Sequence, residues 1–265
     1  MIDSHVHSSF SGDCETPARE ACEKAIDIGL DGIAFTDHLD YDYPDYDDKF
    51  LIDFDRYSHG MDRLKTDYRG KLKVFKGIEV GIQPHVLDES SNLIRKYNFD
   101  FVICSVHIID RQDPYTGQYY IGKTKDEAFR RYLEAILFTT QSFNDYDVIG
   151  HIGYIRRYGN YDDRSLRHAD YSDLLDSILN NVIEKGKGLE VNTSGYRTGL
   201  ESPMPDYDII KRYLELGGEI ITLGSDAHTA GQIALKFTDT VEVLKKIGVK
   251  HIAYFEDRKP AFYSI

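Results

Sequence analysis

The sequence begins MIDSHVHSSFSGD, and within it His5 and His7 stand one residue apart at the end of a short apolar stretch. On a β-strand, residues two apart face the same side, so both imidazoles point one way. Neutral imidazoles paired like this suit a divalent cation of the zinc, iron or manganese kind. A lone H-x-H is more often two unrelated histidines, so the case rests on recurrence. The signature does recur. Asp13 follows in the next loop, and Asp37-His38, Glu79, His107, His151 and Asp226-x-His228 each end a later apolar run. Six of the ten histidines fall at such ends, while His59, His85, His168 and His251 do not and read as surface or packing residues. Nine ligands (His5, His7, Asp13, His38, Glu79, His107, His151, Asp226 and His228) are too many for one four-coordinate ion. They suffice for two to three divalent metal ions, with Glu79 suited to bridging. No cysteine joins them, which points to a catalytic centre rather than a structural one.

Short β-branched runs alternate with amphipathic stretches, and this alternation must position the ligands. After the first strand, Thr16-Pro17 reads as a helix N-cap with proline at the first helical position. The helix then turns Ala21, Cys22, Ala25 and Ile28 inward and stops at Gly29. Further strands are expected at 32–38, 72–82, 101–109, 147–152, 188–195, 219–228 and 251–255. Helices are expected near 54–67, 88–97, 124–143, 171–186, 206–217 and 231–247. The Tyr- and Asp-rich stretch 41–50 reads as a loop able to overhang a pocket. Seven or eight βα units imply a parallel sheet, and at 265 residues a TIM-like α/β barrel of one domain, 1–265, is favoured over an open sheet. Barrel enzymes keep their chemistry at the C-terminal ends of the strands, where these ligands fall.

Composition bounds the function. A net charge of −13 argues against a nucleic-acid groove, which would be basic. It is compatible with steering a cationic small substrate, although acidity more commonly serves solubility. No apolar run is long enough for a membrane span, and no signal-type segment precedes the first strand. Three cysteines (Cys14, Cys22 and Cys104), odd in number and without CxxC spacing, suggest reduced thiols and a cytoplasmic location.

The ordered set H-V-H, T-D-H, G-I-E, S-V-H, G-H and G-S-D-A-H resembles the PHP family, named for polymerase and histidinol phosphatase, over essentially the whole chain. The resemblance implies a distorted (β/α)7 barrel holding up to three metals. By motif, His5, His7, Glu79 and Asp226 would surround the first ion. Glu79, His107 and His151 would hold the second, and Asp13, His38 and His228 the third. Some members carry a histidine where this chain has Asp13.

Within the family, the stretches S-V-H-I-I-D (105–110), G-H-I-G-Y-I-R-R (150–157) and E-V-N-T-S-G-Y-R (190–197) resemble the monofunctional histidinol-phosphate phosphatases. The implied reaction is hydrolysis of L-histidinol phosphate to L-histidinol and phosphate, in histidine biosynthesis, by metal-activated hydroxide. Arginine offers a planar fork matched to phosphate oxygens, which makes Arg197, and one of Arg156 and Arg157, candidates for a phosphate clamp. Asp226 or His228 would be the general acid for the leaving alkoxide. The alternatives are a PHP phosphoesterase for another small ester or nucleotide, or an amidohydrolase-type C–N hydrolase. The latter fits Asp37-His38 with Glu79 poorly.

Overall fold

The computed structural model describes residues 1–44 and 48–265. Seven strand positions form a parallel sheet closed into a distorted barrel. In order around the wall these are β1 (Ile2–Val6), β2 (Gly32–Phe35), β4 (Lys73–Gly81), β5 (Phe101–Ser105), β6 (Val148–Ile149), β7 (Gly188–Asn192) and β8 (Ile221–Gly224). A short β3 (His38–Asp40) continues β2 along β4 after a break at Thr36 and Asp37. The expected single strand at 32–38 is therefore two. At the break the backbone stays bonded on both sides, the Thr36 amide to the Val6 carbonyl (2.9 Å) and the Glu79 amide to the Asp37 carbonyl (3.2 Å), while the Asp37 carboxylate accepts the Ser8 amide (2.7 Å), the Ser8 hydroxyl (2.8 Å) and the Ser11 hydroxyl (2.8 Å). That network ties the loop after β1 to the end of β2.

Closure comes just past β8. Val6 pairs in parallel with Ala227, the Asp226 amide donates to the His5 carbonyl (2.7 Å), and the His7 amide donates to the Ala227 carbonyl (2.9 Å). Gly224 permits this approach, since a Cβ there would lie 2.5 Å from His5 Cβ and 2.6 Å from Glu190 Oε1. The first and last barrel strands thus meet at the residues that matter chemically.

Among the described residues, seven α-helices flank the wall: α1 (Ala18–Asp27), α2 (Phe54–Asp67), α3 (Leu87–Lys96), α4 (Lys125–Ser142), α5 (Ser172–Glu184), α6 (Tyr207–Glu215) and α7 (Phe237–Ile247). Their starts follow local chemistry. Asp53 caps α2 by accepting the Arg56 amide (3.0 Å), and Thr124 with Glu127 forms a reciprocal capping box on α4. Thr16 does not cap α1. The helix begins at Ala18, after Pro17, and the Thr16 hydroxyl donates instead to the His228 carbonyl (3.2 Å). Ala21, Cys22 and Ala25 are buried as expected, but Ile28, beyond the last helical residue, is exposed.

The C-terminal segment departs from the expected pattern. β9 (His251–Glu256) does not join the barrel; it forms an antiparallel hairpin with β10 (Lys259–Ser264), which the sequence reading missed. Phe255 stacks on Phe101 at 5.1 Å within a small apolar cluster with Ile2, Phe75 and Val148. Those partners lie at the N-terminal ends of strands, so the hairpin stoppers the barrel at the end opposite the ligands.

Candidate metal centre

Glu79, from β4, sits at the middle of the site and its two oxygens face different ways. Oε2 lies 3.2 Å from His5 Nε2 and 3.4 Å from His7 Nε2. Oε1 lies 2.7 Å from His151 Nε2 and 3.2 Å from His107 Nε2, and accepts the Ser105 hydroxyl at 2.7 Å. On the Oε2 side, Asp226 Oδ1 approaches His7 Nε2 (3.4 Å) and His5 Nε2 (3.9 Å). Further along the rim, Asp13 Oδ2 lies 3.1 Å from His228 Nε2 and 3.5 Å from His38 Nε2. The His7 ring is stacked with those of His38 (4.4 Å) and His228 (4.2 Å).

All nine residues singled out in the sequence therefore converge on one end of the barrel. Among the described residues, three groups have ligand atoms close enough to share a cation: His7, Asp13, His38 and His228; His5, His7 and Glu79; His38, Glu79 and His107. The donor set fits divalent metal. Imidazole nitrogens converge pairwise, His5 Nε2 on His7 Nε2 at 3.1 Å and His107 Nε2 on His151 Nε2 at 3.4 Å. The Nδ1 atoms of His5, His7 and His107 are engaged by Glu190, Ser11 and Asp40, which leaves the Nε2 atoms directed at one another and, once deprotonated, able to ligate a cation. Mixed imidazole and carboxylate ligands without thiolate suit zinc, iron and manganese.

The electrostatics agree. Burial opposes ionisation of Glu79, yet His5, His107 and His38 hold it well below the usual carboxylate range. Burial also works against the charge on His107, but Asp40 and Glu79 raise it to about 10. Burial, reinforced by His228 and His38, lowers His7 to about 3. Protons on some imidazoles thus balance the carboxylates, and divalent ions binding here release them.

Several positioning residues escaped the sequence reading. Glu190 Oε1 accepts from His5 Nδ1 at 2.5 Å, while its Oε2 accepts the His151 amide at 2.7 Å. Asp40 Oδ1 accepts from His107 Nδ1 at 2.7 Å, and its Oδ2 lies 3.2 Å from His38 Nδ1. Carboxylates behind ligating histidines fix tautomer and ring orientation. A usable signal was present: both are acidic residues inside fully buried strands, in GLEVN and in HLD. The four histidines set aside all lie away from this cluster. His85 pairs with exposed Asp42, His168 with Asp176, His59 bonds the Asp55 carbonyl, and His251 begins β9.

The arginines separate. Arg157 reaches into the cavity, donates to Asp226 Oδ2 (2.6 Å) and to the Ser194 hydroxyl, and lies over the Tyr154 ring. Arg156 is turned away because consecutive residues of the tight turn at Tyr154–Arg156 project in different directions. Its guanidinium pairs with Asp206 (2.9 Å) and donates to the Arg164 carbonyl (2.9 Å), so it does not border the cavity. Arg197 comes from the 3-10 segment Thr193–Thr198 after β7 and donates to the carbonyls of Ser225 (2.5 Å) and Asp226 (2.6 Å). It borders the cavity together with Arg157. That cavity is about 430 Å³, and from the overhanging loop it is lined by Tyr43, Lys49 and Phe50; residues 45–47 of that stretch lie outside the described residues.

Residues 3–194 match the PHP domain family. The histidinol-phosphatase of Lactococcus lactis is 36% identical over 97% of this chain and 95% of its own length. A probable histidinol-phosphatase of Clostridium acetobutylicum is 31% identical over 97% of this chain and 98% of its own. A solved histidinol phosphate phosphatase from Lactococcus lactis, complexed with zinc, L-histidinol and phosphate, superposes with a TM-score of 0.91 over 98% of both chains at 36% identity. The match of most of the chain, with the ligand motifs in order on a barrel of this topology, leads to one assignment: the chain belongs to the PHP domain family.

Proposed function

We propose that the chain is a metal-dependent phosphomonoesterase that hydrolyses L-histidinol phosphate to L-histidinol and inorganic phosphate, as a cytoplasmic enzyme of histidine biosynthesis. The observation that carries this reading is a pair of guanidinium groups, Arg157 and Arg197, in one cavity with seven of the nine imidazole and carboxylate ligands, the other two, His5 and His7, being buried against Glu79. Near-full-length similarity to a relative named for that activity supports it. Two to three divalent ions are proposed, with Glu79 shared between the group at His5, His7 and Asp226 and the group at His107 and His151. Asp13, His38 and His228 form the third group. When bound, such ions polarise phosphoryl oxygens and lower the pKa of water so that hydroxide is available at neutral pH.

The chain's own residues do the rest. Arg157 and Arg197 orient the phosphate and balance its charge as the P–O bond breaks. Glu190 and Asp40 keep the imidazoles aimed inward. The proton for the departing alkoxide is assigned to the Asp226–His228 pair, whose Oδ1 and Nδ1 lie 3.6 Å apart at the end of β8. Tyr154 and Phe50 give the cavity apolar walls that limit water.

Metal analysis tests the proposal. Protein purified without chelator is expected to carry two to three equivalents of divalent metal. Stripping should abolish phosphate release from histidinol phosphate, and adding zinc or manganese should restore it. One equivalent or less in a fully active preparation refutes the multinuclear centre, and activity that survives complete stripping refutes metal dependence altogether.

A further inference from the structure

Strand β7 carries a second inward-facing polar side chain besides Glu190. Asn192 stands two residues after it, on the same face, and is fully buried. It is not one of the nine ligands and does not border the cavity. Its backbone is fixed by reciprocal bonds with Met204, amide to carbonyl at 2.9 Å in each direction. Its side-chain oxygen accepts the Ser194 amide (3.0 Å) and the Ser194 hydroxyl. A backbone N–H can only donate, so this contact decides which end of the carboxamide is oxygen. The NH2 group therefore points the other way, between two carboxylates. Nδ2 lies 3.2 Å from Glu190 Oε2 and 3.5 Å from Asp226 Oδ2.

Those two carboxylates serve one metal group from opposite sides. Glu190 holds His5 through Nδ1, while Asp226 turns Oδ1 toward the Nε2 atoms of His7 (3.4 Å) and His5 (3.9 Å). His5 belongs to β1 and Asp226 follows β8, so their relative placement is decided where the barrel closes. The Asn192 amide spans both carriers. With Arg157, it occupies the Oδ2 side of Asp226 and leaves Oδ1 facing the imidazoles. The residue type matters here. An aspartate at this position would bring a third buried carboxylate against the other two, and an apolar residue would leave them facing each other with no neutral donor between.

We infer that Asn192 is a positioning residue for the metal group at His5, His7 and Asp226. Its carboxamide fixes the separation of Glu190 and Asp226, and through them the two ligands contributed from either side of the barrel closure. This rests on the metal-dependent reading above and gives Asn192 a share in holding that group's cation, without contact with substrate. The group at Asp13, His38 and His228 and the pair His107 and His151 have no bond to Asn192 and should depend on it far less.

Asn192→Ala and Asn192→Ser provide the test. Alanine removes both N–H donors, and serine restores a single donor on a shorter arm, so it keeps the question decidable if the alanine variant does not fold. Wild type and folded variants are loaded with zinc, and the equivalents retained are followed against rising chelator concentration. Asn192→Ala is expected to give up one equivalent at a chelator concentration lower by about tenfold or more, ahead of the remaining metal, with Asn192→Ser in between. The same proteins saturated with cobalt(II) supply a second readout. Their visible absorption should differ from wild type, whereas a loss confined to fold stability leaves the coordination of a bound ion unchanged. Retention within about twofold of wild type with an unchanged cobalt spectrum, or parallel loss of every equivalent, overturns the role of Asn192. A wild type that holds no divalent metal overturns the metal-dependent reading itself, so the two failures are told apart by the wild-type titration.

Discussion

Glu79→Gln is expected to lose metal content and activity together. The two carboxylate oxygens of Glu79 face separate histidine pairs, 3.2–3.4 Å away on one side and 2.7–3.2 Å on the other. Glutamine preserves the shape but offers one weak oxygen ligand and an amide that cannot bind a cation. It also removes a negative charge that would offset the charge of bound cations. Replacing a partner behind a ligand typically costs roughly 10–100-fold in metal affinity or activity, and removing a shared ligand should exceed that. Elemental analysis and steady-state kinetics on the same preparation decide it. Full occupancy with near-normal turnover in Glu79→Gln would falsify the bridge.

The second large effect concerns the guanidinium groups. Arg197→Ala is expected to retain its metals while kcat/KM for the phosphate ester falls by at least about 30-fold, the lower end of the roughly 2–5 kcal/mol cost of removing one partner of a buried charge pair. Arg197→Lys should recover only part of this, because an ammonium cannot reproduce a planar two-point contact. Arg156→Ala makes the contrast. Arg156 is buried against Asp206 outside the cavity, so breaking that pair should lower stability by about 3–5 kcal/mol with a far smaller kinetic effect. Equal kinetic losses at Arg156 and Arg197, measured on folded protein, would contradict the separation drawn between them.

What could be read from the sequence follows from how each residue is constrained. Metal ligands must be histidine or carboxylate at strand ends, so a residue type at a fixed position in the βα repeat was enough to place nine side chains at one rim. The helix expected near 54–67 coincides with α2, which the structure shows capped by Asp53. Strand interiors were less legible: β6 is only Val148–Ile149, because the chain after it turns at once to aim His151 and Tyr154. β10 was missed because its residues are largely exposed and present no apolar alternation. The orientation of Arg156 against Arg157 could not be read, because it depends on a tight turn and on Asp206, some fifty residues away in sequence. Glu190 and Asp40 could be picked out only as acidic residues inside buried strands; they act through a histidine, and nothing local to them says which one.

Initial-rate phosphate release from histidinol phosphate, beside a panel of nucleotides and sugar phosphates, tests the central claim most directly. The metal-loaded protein is expected to turn over histidinol phosphate with kcat/KM at least about a hundredfold above every other ester, because a dedicated phosphatase binds the alcohol half of its substrate as well as the phosphate in the transition state. A nucleotide or sugar phosphate hydrolysed as efficiently as histidinol phosphate, under the same metal loading, would contradict it.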